Sequence, residues 1–181
     1  TQVAPDFTED TWVSGLVFDD GGSAAMALTA TGVAHSSDGA ESWTVHALPV
    51  WIQYLTSLQM TGATQAFAVG RNTDDQAILV STVDGGASWE LVYDSGEWPG
   101  VFQDLKVYDD GRATLVGNYY SGWMGWLGVI VETDDDFETV SRVDYDDQSL
   151  WALEAPTPED HYALGGPDLP GSKRPIFVSR H

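Results

Sequence analysis

The sequence predicts an all-β fold, and three observations carry the prediction. No long stretch holds a 3.6-residue apolar period without a Gly, a Pro or an Asp cluster breaking it, so helix signals are nearly absent. Nineteen Gly and eight Trp among 181 residues suit a chain of many turns and aromatic-rich strands. An eight-residue pattern recurs around Asp38, Asp84 and Asp135, at spacings of 46 and 51 residues, with alternating apolar runs between. Spacings of that size, each enclosing several strands, are the signature of propeller blades.

Taken in order, the first unit reads as strands over 12–18, 24–29, 32–37 and 42–48. The second follows at 54–60, 65–71, 77–82 and 88–93, and the third at 101–108, 112–119, 127–133 and 139–143. A fourth shows 149–155, 161–165 and 174–180. Period-2 alternation and β-branched or aromatic enrichment support each strand. Asp20-Gly21 and Asp110-Gly111 read as two-residue hairpin turns. The second strands share a register: Phe67-Ala68-Val69-Gly70, Thr114-Leu115-Val116-Gly117 and Tyr162-Ala163-Leu164-Gly165, with Met26-Ala27-Leu28-Thr29 in the first unit.

One domain over 1–181 is therefore expected, as four blades of four antiparallel strands at roughly 10–48, 51–94, 98–144 and 148–181 plus 1–8. Thr1-Gln2-Val3 aligns with Glu138-Thr139-Val140, and Ser179-Arg180-His181 with Thr133-Asp134-Asp135. Residues 1–8 thus read as the outer strand of the last blade, closing the ring and removing two sheet edges. A strand-exchanged dimer and a piece of a larger propeller are the competing readings. The start at Thr1 reads as an N-terminal piece already removed.

The recurring pattern is clearest at Thr82-Val83-Asp84-Gly85-Gly86-Ala87-Ser88-Trp89. A looser copy is Ser36-Ser37-Asp38-Gly39-Ala40-Glu41-Ser42-Trp43, and a decayed one Thr133-Asp134-Asp135-Asp136-Phe137-Glu138-Thr139-Val140. Chemistry explains the choice of residues. Asp accepts backbone N–H bonds in a tight turn, Gly supplies positive φ, and Trp folds back as an apolar plug. The pattern resembles the Asp-box, or BNR motif, S/T-x-D-x-G-x-T/S-W. That resemblance implies a β-propeller in which Ser36, Asp38, Ser42, Trp43, Thr82, Asp84, Gly86, Ser88 and Trp89 are structural. Asp-box families include sialidases, sortilin-like receptors, xyloglucan-type glycoside hydrolases and a photosystem II assembly-factor group. Sialidases use three Arg on the substrate carboxylate and a Tyr-Glu pair. Here only Arg71 and Arg174 map to the open end, with Arg112 at the other and Arg142 on an outer strand, so a sialidase is not expected.

Twenty-eight acidic and seven basic residues give a net charge of −21. That argues against nucleic acid and against anionic membrane surfaces, both of which need a cationic face. The absence of Cys excludes a disulfide scaffold, and no run of about 18 apolar residues spans a membrane. An exported bacterial protein, secreted or periplasmic, is the expectation.

Propeller geometry sorts the loops without coordinates. The loops from second to third strand share one end with the links between units, and the Asp turns and first hairpins share the other. At the first end fall Trp51, Tyr54, Arg71, Asp75, Trp98, Tyr120, Trp123 and Trp126. Aromatic faces beside carboxylates suit sugar rings or a protein partner, and ligand sites are concave and aromatic-lined. For Trp51, Trp98 and Trp126, packing between blades is the other reading. The sequence holds no G-x-S-x-G and no H-E-x-x-H, and its four His do not converge, so no cofactor and no metal are expected. Asp74-Asp75, Asp134 to Asp136 and Asp146-Asp147 read as solvated turns, with Ca²⁺ as the alternative. Glu97, Asp104 and Asp75 are the candidate catalytic carboxylates, and nothing selects two of them. Three functions follow: a non-catalytic exported propeller binding a glycan or protein, a carbohydrate-active hydrolase or lyase on the same face, and a structural repeat module.

Overall fold

A computed structural model describes residues 13–122, 125–146, 148–155, 157, 160–167 and 176–180. Among them every regular element is an antiparallel strand. The first sheet is β1 (Val13–Phe18), β2 (Ala25–Thr29), β3 (Gly32–Ser36) and β4 (Thr44–Ala47), hydrogen-bonded in that order. The second unit is β5 (Ile52–Met60), β6 (Ala66–Asn72), β7 (Gln76–Thr82) and the first half of β8 (Glu90–Val107). The second half of β8 opens the third unit, continued by β9 (Ala113–Tyr120), β10 (Trp126–Thr133) and β11 (Ser141–Tyr145). β12 (Gln148–Glu154), β13 (His161–Pro167) and β14 (Ile176–Arg180) form the last sheet. The expected closing strand over 1–8 lies outside the described residues.

Period-2 alternation gives the middle units two buried faces, so successive sheets stack face to face. Met26, Leu28 and Val33 meet Leu58, Ala68, Ile78 and Val80 across the first seam. The opposite face of the second unit places Val69 and Leu79 against Phe102, Leu105, Leu115 and Val129. Val116 and Ile130 then meet Leu150 and Ala163 across the third seam. Fully buried side chains such as Phe102, Ile78 and Leu115 each contribute about 2 kcal/mol by leaving water.

One β-bulge recurs on the inner strand of all four units. The register slips between Val13 and Gly15, Leu55 and Ser57, Phe102 and Asp104, and Leu150 and Ala152. The bulge presses the preceding carbonyl against the second strand. A Cβ at Gly70, Gly117 or Gly165 would overlap the carbonyl oxygens of Tyr54, Val101 and Ser149 respectively. The shared glycine of the second strands therefore answers a backbone approach, not a turn.

Polar side chains then pin neighbouring inner strands. Thr56 Oγ1 donates to the Phe102 carbonyl at 2.6 Å, and Ser57 Oγ donates to Asp104 Oδ1 at 2.8 Å. The Leu153 N–H donates to Asp104 Oδ2 at 2.9 Å, so one carboxylate ties three units together. Each of these bonds is charge-assisted or shielded, and so is stronger than a surface contact.

All three repeated turns use one hydrogen-bond circuit. Asp84 Oδ1 accepts from Thr82 Oγ1 at 2.9 Å and from the Ser88 N–H at 2.9 Å, and Oδ2 accepts from Ser88 Oγ at 2.6 Å. Asp38 does the same with Ser36 and Ser42, and Asp135 with Thr133 and Thr139. Each turn also donates a backbone N–H to the first hairpin of its own unit: Gly39 to Ser23, Gly85 to Thr64, and Asp136 to Gly111. The Asp turns and first hairpins thus share one end, as the loop sorting requires.

The plug differs between turns. Trp89 is buried and donates Nε1–H to the Gly86 carbonyl at 3.2 Å. In the third turn Val140 is exposed, and Phe137 turns inward from the Gly position, stacking on Tyr93 with centroids 5.9 Å apart. Its φ of 67° is one that L-residues rarely adopt, and burial of the ring offsets that cost.

Hydrogen bonding lowers these carboxyl groups. The hydroxyl and N–H of Ser42 hold Asp38 at about 2, and those of Ser88 hold Asp84 at about 2, against an ordinary value of 3.8. Asp135 is lowered for the same reason. A lowered folded value means that the stabilisation is present above the unfolded value and lost as pH falls through the folded one. Asp84→Asn should therefore melt below wild type at neutral pH. The gap should close as pH falls from about 4 to about 2. Thermal melts across that range check it, and a constant gap would remove the turn carboxylate from the acid response.

Two expectations need correction. The first hairpin closes on Asp19 and Ala24 around four residues with the left-handed φ at Gly22, and the third unit's closes on Tyr108 and Arg112 around three, with Gly111 left-handed. Neither is a two-residue turn: the Asp19 and Asp110 side chains accept the N–H groups of Ala24 and Arg112, just before the next strand, and hold the wider loop. The loop expected over 94–100 is instead part of β8. Its polar groups pair with the β6–β7 turn: Gly100 N–H to the Asp75 carbonyl, Gln76 Nε2 to the Gly96 carbonyl, and the Ala77 N–H to Ser95 Oγ. The third copy of the turn, read as decayed at its Trp position, keeps the circuit through Thr133, Asp135 and Thr139.

Candidate functional site

The end opposite the Asp turns carries four exposed aromatics, while Phe18, Trp151 and Tyr162 are exposed elsewhere. Trp98 is 49% exposed, Tyr120 45%, Trp126 39% and Tyr54 39%. Trp98 meets Tyr119 edge-on, with centroids 5.8 Å apart, and Tyr120 meets Trp126 edge-on at 5.7 Å. Strand register explains both pairs. Tyr119 is paired with Gly100 on β8, two residues beyond Trp98, and Tyr120 is paired directly with Trp126. Because neighbours on a strand point to opposite faces, the two pairs flank the third unit rather than forming one platform.

The remaining sequence candidates divide. Arg71 and Asp75 form an ion pair at 2.8 Å, and Asp75 holds a φ of 67° in the β6–β7 turn, beside the link that carries Trp98. Trp51 is half-buried against the first seam and accepts the Thr73 N–H at its carbonyl. Tyr54 lines a separate cavity at the first seam. Trp123 lies outside the described residues. Sequence reasoning passed over Arg142 as an outer-strand residue. Its guanidinium lies over the Tyr119 ring at 4.2 Å and pairs with Asp144 at 2.7 Å, so it backs the Trp98–Tyr119 pair. Only an alternation argument on β11, facing the same way as Val131, its register partner, could have found it.

Two of the three candidate carboxylates, Asp104 and Asp75, are engaged, while Glu97 is exposed beside Trp98. Asp104 lines a cavity of about 360 Å³ among the inner strands, with both oxygens bound by Ser57 and Leu153. Asp75 is paired with Arg71. Burial raises the Tyr119 hydroxyl, which keeps it a neutral donor rather than a base. Among the described residues no group of three or more His, Cys, Asp or Glu is placed to hold a metal ion. No described helix is long and apolar enough to cross a membrane. The arrangement offers flat aromatic edges, two guanidiniums and neutral hydrogen-bonding groups, which is equipment for recognition.

No family model matches the chain, and no curated sequence does. Its structure is similar to YCF48 from Cyanidioschyzon merolae, with a TM-score of 0.63 and 13% identity over 93% of this chain and 50% of that one. It is also similar to the GH74 enzyme of Niastella koreensis, with a TM-score of 0.66 and 14% identity over 92% of this chain and 30% of that one. A YCF48 structure bound to D1 peptide superposes at a TM-score of 0.48, with 16% identity over 92% of this chain and 65% of that one. This chain spans half of the first protein and under a third of the second. Likeness at this identity shows the fold, a β-propeller arrangement of antiparallel sheets.

Proposed function

We propose that this chain is a non-catalytic recognition module that binds a glycan or protein partner through the end bearing Trp98, Tyr120 and Trp126. The observation that carries the reading is the exposure of these rings in edge-on pairs, at the same end as Tyr54, while Asp75 and Asp104 are engaged in an ion pair and in structural bonds. Apolar rings that large are normally buried, and their exposure on both sides of one strand end marks contact surface. A Trp98→Ala/Trp126→Ala double variant, screened beside wild type on an array of immobilised glycans, tests it. Wild-type binding that drops about tenfold or more in a folded variant supports the aromatic end. Binding left intact in the variant would refute it. Turnover of a captured glycan would replace recognition with catalysis.

The same reading includes the architecture: an Asp-box propeller of four blades, in which residues 1–8 close the last blade on β14. Inner strands β1, β5, β8 and β12 all contribute to the one cavity of about 360 Å³, as spokes around an axis would. Ala25, Ala27 and Ala34 are buried on the face of the first sheet that turns away from the second unit. A closed ring supplies their cover by bringing the last sheet round. An aspartate at Ala27 tests the closure.

A further inference from the structure

Two carboxamides in this structure each grip both backbone polar groups of one inner-strand residue in the next unit. Asn118 Nδ2 donates to the Leu150 carbonyl at 3.0 Å, and the Leu150 N–H donates to Asn118 Oδ1 at 2.7 Å. Gln59 Nε2 donates to the Val107 carbonyl at 2.7 Å, and the Val107 N–H donates to Gln59 Oε1 at 2.9 Å. An amide is the natural partner for such a pair because it offers one donor and one acceptor side by side.

Leu150 sits directly before its strand's bulge, and the same position in the second unit is Leu55. What faces Leu55 is different. Leu28 and Val116 are equivalent positions, each paired with the residue after a bulge, Gly15 and Asp104. Two residues on from Val116 stands Asn118, and two on from Leu28 stands Ala30. The first unit turns back early, with Ala30 and Thr31 between paired Thr29 and Gly32, whereas β9 runs on to pair Tyr120 with Trp126. Among the described residues no side chain bonds the Leu55 backbone. In front of it lies a cavity of about 290 Å³, lined by Leu28, Thr29, Ala30, Gln53, Tyr54 and Leu55.

We propose that this cavity binds the acetamido group of an N-acetylhexosamine, the ligand amide taking on Leu55 the place that Asn118 takes on Leu150. The inference rests on the recognition reading above and names its ligand class. The volume takes one sugar ring. Tyr54, exposed at the rim, offers an aromatic face for the ring, while the Gln53 side chain and the Ser14 hydroxyl in the cavity wall offer partners to its hydroxyl groups. An asparagine side chain from a peptide carries the same donor and acceptor, but the hydroxyl-bearing wall beside an exposed ring favours a sugar.

Titration of the folded chain with N-acetylglucosamine, glucose and an asparagine-containing tripeptide, followed by ligand-observed NMR, tests the proposal. A dissociation constant on the order of 1 mM is expected for N-acetylglucosamine, since one small ring brings few atoms. Glucose should bind about tenfold more weakly or worse, because it leaves the amide-binding groups unpaired. Ala30→Trp, which fills the cavity, and Tyr54→Ala, which removes its aromatic wall, should each weaken binding about tenfold with melting temperature preserved. Equal affinity for glucose would overturn amide recognition, and tighter binding of the tripeptide would overturn the sugar. Binding that ignores both variants but fails in Trp98→Ala/Trp126→Ala would overturn the cavity and leave the aromatic end standing. Absence of any N-acetylglucosamine binding would overturn the cavity proposal alone, since the aromatic end is judged separately by the glycan array and can still take a protein partner.

Discussion

Gly117→Ala should cost about 3 kcal/mol, the upper end of what overpacking costs in a well-packed interior. For a chain of this size that is a fall of about 10 °C in melting temperature. The cause is local and severe. A Cβ at Gly117 would overlap the Val101 carbonyl oxygen and stand 2.7 Å from the Cα of Phe102. Those are backbone atoms of the neighbouring strand, fixed by the bulge between Phe102 and Asp104, so no side-chain rotation relieves the clash. Relief requires undoing the bulge. That would shift Asp104 by one position and break its bonds to Ser57 and Leu153. Gly96→Ala is not a suitable comparison, because its φ of 67° adds strain of another kind; Gly21→Ala, at an exposed hairpin with no backbone within van der Waals contact, is the control and should change stability little. Paired thermal melts decide the matter, and a Gly117→Ala protein melting within about 2 °C of wild type would mean the bulge is not a fixed element.

The strands were legible in the sequence because their information is local. Among the described residues, alternation and turn residues place each strand within a few residues, apart from the join that makes β8 continuous. The Asp turns were legible for the same reason, since the whole circuit from Thr82 to Ser88 closes within seven residues. Even the third copy keeps its circuit, because Thr133, Asp135 and Thr139 are retained while only the plug moved to Phe137. What the sequence hid lies at long range. Asn118 meets Leu150 across 32 residues, and Ser57 meets Asp104 across 47. The repeated Gly70, Gly117 and Gly165 were visible as a register mark. Their cause, a bulge on a different strand, has no local signal. The exposed rings of the candidate site were sorted to the correct end by topology alone. Their division onto two sides of the third unit depends on strand register, and Arg142 enters only through the fold.

Ala27→Asp should unfold the chain or cost it about 3 kcal/mol or more, because the new carboxylate would be buried without a partner. Ala27 is 2% exposed and lies on the face of the first sheet that the second unit does not cover. Leu16, its register partner on β1, is 52% exposed, so Leu16→Asp is the control and should change stability by less than about 1 kcal/mol. The contrast follows from ring closure. In the proposed closed ring the last sheet would roof the middle of the first sheet, while the inner strand would open toward the axis. Trp151, Tyr162 and Leu164 are exposed apolar residues on that last sheet, and a second copy of the chain could use such a surface instead. Concentration separates the two arrangements. A melting temperature independent of chain concentration and a mass of one chain by light scattering belong to the closed ring. A melting temperature that rises with concentration, at twice the mass, belongs to the pair. If Ala27→Asp melts with wild type, nothing roofs that face, the sheets stand open, and the ring is abandoned.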